Sequence, residues 1–124
     1  MPDPVTGGCL CGKIRYTVSQ PLHNVIACHC THCQKASGTG ASHNAPVPTS
    51  AVTFTSGKPK LFEDTAQSGN ILKRYFCGDC GSPIYSQRAK TPEMMTLKVG
   101  TLDSPRDMKL VMNIWTNSAR PWMY

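Results

Sequence analysis

Cys77-Gly78-Asp79-Cys80-Gly81 sets two thiols at C-x-x-C spacing, with a glycine after each. Two thiolates at that spacing converge on one ion, and the glycines let the backbone turn back so that its N–H groups reach the sulfurs. Cys9-Leu10-Cys11-Gly12, also framed by glycine, can supply two further ligands and complete a closed tetrahedral zinc site. Joining segments so far apart in the chain staples the N-terminal strand to the middle of the sequence, and a long loop is where a crosslink helps most. The bland alternative is that these are small buried residues, but paired, glycine-flanked cysteines seldom arise for packing.

The chain holds seven cysteines, so three remain, in Cys28-His29-Cys30-Thr31-His32-Cys33. Three thiols in C-x-C-x-x-C spacing can face one point, and three protein ligands leave a position for water or substrate. Three thiolates on Zn²⁺ carry a net negative charge and make a poor Lewis acid, so hydrolysis is not the obvious use. Such a site can instead take a fourth thiolate from a substrate and keep that sulfur nucleophilic at neutral pH. The charge balance therefore favours addition of a thiol to a small electrophile, or the reverse. Two alternatives stay open. One of His29, His32 or His43 closes the site as Cys₃His, with His29 and His32 expected to point away from the metal, or an outside ligand completes an iron–sulfur cluster.

At 124 residues, with three Phe and two Trp, the chain is expected to form one domain over residues 1–124 whose modest core gains from metal crosslinks. No apolar run is long enough to span a membrane, and Met1-Pro2-Asp3-Pro4 lacks the layout of a signal peptide. Clustered cysteines then place the protein in a reducing cytoplasm and read as metal ligands rather than disulfides. The formal charge of +6 falls to about +3 once seven thiolates and two Zn²⁺ are counted. Basic residues are scattered with no run above two, so the nucleic-acid footprint is weak, and a small anionic substrate fits at least as well.

Nine short stretches read as strands: 13–18, 25–28, 41–47, 51–55, 60–63, 71–76, 83–87, 94–99 and 110–116. Gly7 to Gly12 reads as a turn, Pro46 and Pro48 as strand ends, and 64–70 as a loop. The segment from Gly100 to Pro105 is turn-rich. Thr31 to Ser37 can make one or two helical turns, with Thr31 as N-cap and Gly38 as stop. His23 is expected to be exposed. Many short strands with regular turn signals indicate an all-β, mainly antiparallel fold with at most short helical turns.

Three cysteine motifs in order, Gly8-Cys9-Leu10-Cys11-Gly12, Cys28 to Gly38 and Phe76-Cys77-Gly78-Asp79-Cys80-Gly81-Ser82-Pro83, are followed by Gly100-Thr101-Leu102-Asp103. This series resembles the glutathione-dependent formaldehyde-activating enzyme family, which includes the centromere protein V relatives, over nearly the whole chain. The resemblance implies a β-tent fold with two Zn²⁺ per chain. Cys9, Cys11, Cys77 and Cys80 would hold the structural ion, and Cys28, Cys30 and Cys33 would be the catalytic zinc ligands. It also implies a carbon–sulfur lyase that joins formaldehyde to a small-molecule thiol such as glutathione, giving S-hydroxymethylglutathione. Relatives often carry His where this chain has Asn113.

On this basis the expected function is a zinc-dependent lyase-like enzyme acting on a thiol adduct of a small aldehyde. Lys35 and Ser37 are candidate substrate contacts, with a solvated-surface role as the alternative. Trp115 and Trp122 are expected to pack in the core more readily than to wall the pocket. A non-catalytic two-zinc module for a protein or nucleic-acid partner, or a thiol and metal buffer, is the competing class.

Overall fold

The structure, a computed structural model, describes residues 5–66, 68–104 and 107–123. The expectations for Met1–Pro4, for Gln67 in the 64–70 loop and for Pro105 at the end of its turn lie outside the described residues. Among those described are ten strands, one short α-helix and four single-turn 3₁₀ helices. In chain order the strands and the α-helix are β1 (Val5–Gly8), β2 (Arg15–Val18), β3 (Asn24–Cys28), α1 (Thr31–Ser37), β4 (Ser42–Pro48), β5 (Val52–Ser56), β6 (Lys60–Thr65), β7 (Ile71–Phe76), β8 (Pro83–Arg88), β9 (Met94–Lys98) and β10 (Lys109–Ile114).

The strands form a three-stranded sheet, β1-β2-β5, and a seven-stranded sheet, β10-β3-β4-β9-β8-β7-β6. Every pairing is antiparallel except β10 with β3, so the all-β, mainly antiparallel expectation holds. No helix is long and apolar enough to cross a membrane.

The tenth strand, β1, lies where the sequence suggests a glycine turn. Gly7 and Gly8 are there because of what approaches them. A Cβ on Gly7 would lie 2.4 Å from the Tyr16 hydroxyl, and one on Gly8 would lie 2.2 Å from the Ile14 carbonyl oxygen. Glycine in a strand often marks this kind of close approach. Pro46 and Pro48 lie inside β4 rather than ending it. They pair with β9 beyond the last residues that β4 shares with β3, so their missing N–H groups interrupt no ladder on that side. β6 runs on to Thr65, two residues into the expected loop, because Asp64 pairs with Leu72 and Thr65 with Ile71.

The core lies between the sheets. Ile14, Tyr16 and Val18 from the β2 region meet Val47, Ile84, Met95 and Leu97 from the larger sheet. Alternation along β2 leaves Arg15 and Thr17 on the wetter side. On the larger sheet the register sorts the two faces. Ala45 pairs with Leu97 and Val47 with Met95, which makes an apolar face toward the core. The intervening residues carry a polar row: Cys28 opposite Ser42, Asn44 opposite Lys98, and Thr96, Ser86, Arg74 and Phe62 in line across β9, β8, β7 and β6. A period-two strand cannot turn both sets to one side, so polar chemistry collects on the face away from the small sheet.

Candidate active site

The four outer cysteines meet as spaced for a closed site. The Sγ atoms of Cys9, Cys11, Cys77 and Cys80 all lie within 4.8 Å of one another. Cys9 and Cys11 are 3.5 Å apart, and Cys11 and Cys77 are 3.7 Å apart. The edge of a tetrahedral zinc–thiolate site is about 3.8 Å for a Zn–S bond of about 2.3 Å, so the donor set fits such an ion. All seven cysteines are free of disulfides.

The backbone supports this cluster as the glycine pattern suggests. Gly12 and Gly81 take left-handed conformations, φ 81° and 79°, that turn each loop back on its cysteines. Ile14 N–H donates to Cys9 Sγ at 3.3 Å, and Cys80 N–H donates to Cys77 Sγ at 3.5 Å. Ser82 ties the halves together, accepting from Leu10 N–H at 3.0 Å and lying 3.3 Å from Cys80 Sγ. Hydrogen bonds from Ser82 hold the Cys80 thiol down to about 5.

Cys28, Cys30 and Cys33 form the second cluster, again with sulfurs within 4.8 Å of one another. Cys28 ends β3, and α1 starts just beyond. The N-cap of α1 is Cys30 and not Thr31, because the Cys30 sulfur takes the acceptor role and receives Cys33 N–H at 3.3 Å. Gly38 stops the helix in a left-handed conformation, φ 69°, as expected. The loop is fastened from outside: His29 N–H donates to Ile114 O, and the Gln34 amide donates to His29 O at 2.7 Å and Ser118 O at 2.9 Å. The Cys28 thiol, hydrogen-bonded to Cys33, is pushed up, and Cys33 is drawn down to about 4 by that bond, with Ser42, Cys30 and the Arg74 charge adding to it against burial.

No histidine joins this cluster among the described residues. His29 is buried with Nε2 2.9 Å from Asn113 Oδ1, so the Asn at position 113 has a partner in the cysteine loop itself. His32 Nδ1 lies 2.8 Å from Asp64 Oδ1. His43 is an exposed residue of β4, between the inward Ser42 and Asn44. His23 is exposed as expected. The cluster is thus a group of three sulfurs.

Two cavities of about 350 Å³ each meet at Cys33, Arg74 and Lys98, which line both. The first also includes Cys28, Cys30, Asn44 and Arg88 and is cationic, with Ile71, Leu72, Ile114 and Trp115 as its apolar walls. The sequence places Arg74 and Arg88 among scattered basic residues, and does not single out Lys98. All three come from the polar face of the larger sheet, and only the register assembles them. The one signal available was a basic residue inside the apolar strand that leads into Cys77.

Arg74 donates from Nε to Asp64 Oδ2 at 2.9 Å, and its Nη2 is 3.9 Å from Cys33 Sγ. Partial burial of Asp64 raises its pKa, but hydrogen bonds from Arg74 and His32 outweigh that and keep the carboxyl below its ordinary value. Lys98 Nζ donates to Asn44 Oδ1 at 2.7 Å, and burial lowers its pKa.

The other candidate contacts divide. Ser37 lines the second cavity, but its hydroxyl donates to Cys33 O at 2.8 Å. Lys35 is exposed and lines neither cavity. Neither tryptophan is core: Trp115 is 52% and Trp122 71% exposed. Core packing fails for them because β10 and the segment after it lie at the sheet edge. Trp115 instead lines the cationic cavity.

With this geometry in hand, a family model described as glutathione-dependent formaldehyde-activating enzyme matches residues 4–118. Three fungal proteins provisionally named as glutathione-dependent formaldehyde-activating enzymes are similar. That of Emericella nidulans is 35% identical over 80 residues, covering 64% of this chain and 39% of the relative. That of Sordaria macrospora is 32% identical over 94 residues (70% and 38%), and that of Penicillium rubens 29% over 82 residues (66% and 42%). The chain therefore spans well under half the length of these relatives. A crystal structure of a Rhodobacter sphaeroides protein superposes with a TM-score of 0.66 at 26% identity, covering 87% of this chain and 98% of that one.

Proposed function

Since the chain belongs to the glutathione-dependent formaldehyde-activating enzyme family, we propose that it is a zinc-dependent carbon–sulfur lyase that makes and breaks the adduct of a small anionic thiol, with glutathione as prototype, and an aldehyde. The observation that carries this is the meeting of three thiols with Arg74, Arg88 and Lys98 in one cavity. Cys28, Cys30 and Cys33 would hold the catalytic ion, and Cys9, Cys11, Cys77 and Cys80 the structural one. When bound at the three-cysteine site, zinc would keep a guest thiol deprotonated and nucleophilic at neutral pH.

The chain's own residues account for binding and proton movement. Arg74 and Arg88 offer planar donors to the carboxylates of the thiol, the geometry arginine recognises best. Lys98 Nζ, steadied by Asn44, lies where an aldehyde oxygen can take a proton. On addition the thiol gives up its proton to solvent as it binds, the C–S bond forms and the C=O π pair moves to oxygen. The Lys98 ammonium protonates that oxygen and regains a proton from solvent, so the net transfer is from sulfur to oxygen. In reverse the hydroxyl proton returns to Lys98 and the C–S pair returns to sulfur. Asp64 takes no part in this exchange; it fixes the angle of Arg74.

The test is exchange NMR on glutathione and formaldehyde. The zinc-loaded protein should accelerate interconversion of free thiol and S-hydroxymethylglutathione, and Cys30→Ser should remove the acceleration. If the protein leaves the spontaneous exchange rate unchanged at saturating glutathione, the proposal is wrong.

A further inference from the structure

The function proposed above gives the second cavity no role. It meets the first at Cys33, Arg74 and Lys98, yet away from those residues its lining is mostly apolar or aromatic, with Phe62, Phe76, Tyr75, Tyr85, Pro83 and Ala36 contributing and Ser37 and Ser42 as the polar exceptions. Register puts Phe62 on the same sheet face as Arg74, so this part of the lining continues directly from the polar row. Phe62 is also 59% exposed, a large apolar side chain left at a cavity and not buried in the core.

Size decides what the space can be for. The adduct of formaldehyde adds one carbon and one oxygen to sulfur and needs no separate chamber. An apolar cavity of about 150 Å³ is enough to hold benzene, and this one is about 350 Å³. The first cavity already offers the charges that a peptide-like thiol requires, with Arg88 beside Arg74 and Lys98, and the second offers no charge beyond the shared Arg74 and Lys98. Thiol and electrophile must meet where both cavities reach the cysteines, and only at Cys33, Arg74 and Lys98 do they share walls.

We propose that the cavity walled by Phe62, Phe76 and Pro83 receives the apolar substituent of the aldehyde, so that the preferred electrophile carries an aryl or short alkyl group in place of a hydrogen of formaldehyde. This rests on the thiol-adduct function proposed above. The bond changes are those already given: the thiol sulfur bonds to the carbonyl carbon, its proton ends on oxygen, and nothing is oxidised or reduced. The substituent stays attached to the carbonyl carbon throughout and is held, not transformed.

Two measurements test it. Exchange NMR with glutathione should give the zinc-loaded protein a kcat/KM for phenylacetaldehyde about tenfold or more above that for formaldehyde, the scale expected from burying a ring. Titration calorimetry should show S-benzylglutathione binding about tenfold tighter than S-methylglutathione, a comparison that needs no turnover. Ala36→Phe, at an exposed helix position where folding is not at risk, should fill the cavity and bring both ratios close to one. Formaldehyde turnover without turnover of phenylacetaldehyde overturns the cavity assignment and leaves the lyase proposal standing. Failure with both aldehydes overturns the two together. Ratios that Ala36→Phe does not change place the substituent elsewhere and overturn the assignment as well.

Discussion

Arg74 holds its Nη2 3.9 Å from the sulfur of Cys33. The same side chain donates to Asp64, which also meets His32, so the cation beside the three thiols is fixed from behind by a half-buried carboxylate. If the three thiolates hold a divalent ion, as proposed above, their charge would outweigh it, and a further thiolate would add to that excess. A guanidinium at this distance offsets the charge without occupying the site, because arginine stays protonated at any working pH.

Replacing Arg74 should therefore damage binding more than folding of the cysteine loop. Arg74→Lys keeps the charge but cannot pair with Asp64 and face Cys33 through separate nitrogens of one planar group. We expect KM for glutathione to rise about tenfold, a loss of about 1.4 kcal/mol in binding, with both metals retained. Steady-state kinetics beside metal analysis will check this. An unchanged KM would place the thiol's carboxylates away from Arg74.

A backbone prediction concerns Gly7. An added Cβ would lie 2.4 Å from the Tyr16 hydroxyl and 2.5 Å from the carbonyl oxygen of Thr101. The second contact is backbone and cannot swing aside, and Tyr16 is fully buried with its hydroxyl 2.6 Å from Thr101 Oγ1. Gly7→Ala should cost about 1–3 kcal/mol through overpacking, read as a lower urea midpoint with unchanged slope. Gly40→Ala is the control, since its nearest neighbour, at 2.7 Å, is the flexible Met123 sulfur. It should cost far less.

These contrasts show what the sequence can and cannot disclose. The cysteine groups were legible because ligand spacing is local: Cys77 and Cys80, or Cys30 and Cys33, need only one turn of chain to converge. Most strands were legible by alternation. β1 was not, since Gly7 and Gly8 look like a turn until Tyr16 and Thr101 are seen against them. The cations were hidden for a related reason. Arg74, Arg88 and Lys98 come together through the register of β7, β8 and β9, and register is a property of pairs of strands. The tryptophans misled because hydrophobicity predicts burial only where a second layer exists to cover the residue.

Asp103 gives a pH prediction away from the metal ligands. Hydrogen bonds from Arg15 and Thr6 keep its carboxyl below the ordinary 3.8. A carboxyl whose pKa is depressed on folding adds stability that is complete above the unfolded value and is lost as pH falls through the folded one. Its side chain is 41% exposed, so solvent screening limits the contribution to under about 1 kcal/mol. Asp103→Asn should therefore be slightly less stable than the parent at neutral pH, and the gap should narrow as pH drops below about 4. Urea unfolding of the two proteins in parallel measures this, because acid effects on the cysteines are common to both and cancel. A gap that stays constant down to about pH 3 would mean the carboxylate charge contributes nothing.

The strongest contrast is between two serine substitutions that each remove one sulfur. Cys77 is buried, and its sulfur receives Cys80 N–H and lies 3.7 Å from Cys11 Sγ, so it joins segments otherwise linked by the Leu10–Ser82 hydrogen bond and the exposed Lys13–Asp79 pair. Structural zinc sites of four thiolates contribute about 10 kcal/mol or more to folding, which is comparable to the whole stability of a small domain. Cys77→Ser should release one zinc and leave the chain largely unfolded at 25 °C. Cys30 sits differently. Its sulfur is the N-cap of α1, and serine is a better N-cap than cysteine, so the hydroxyl can still accept from the Cys33 N–H. Gln34 and the pairing of β3 with β4 and β10 hold the loop independently of the sulfur. Cys30→Ser should therefore lose the other zinc and the lyase activity, with a thermal midpoint within a few degrees of the parent. Metal content and melting curves measured on the same samples decide between the roles. If both variants melted alike, the division into a stapling site and a working site would fail.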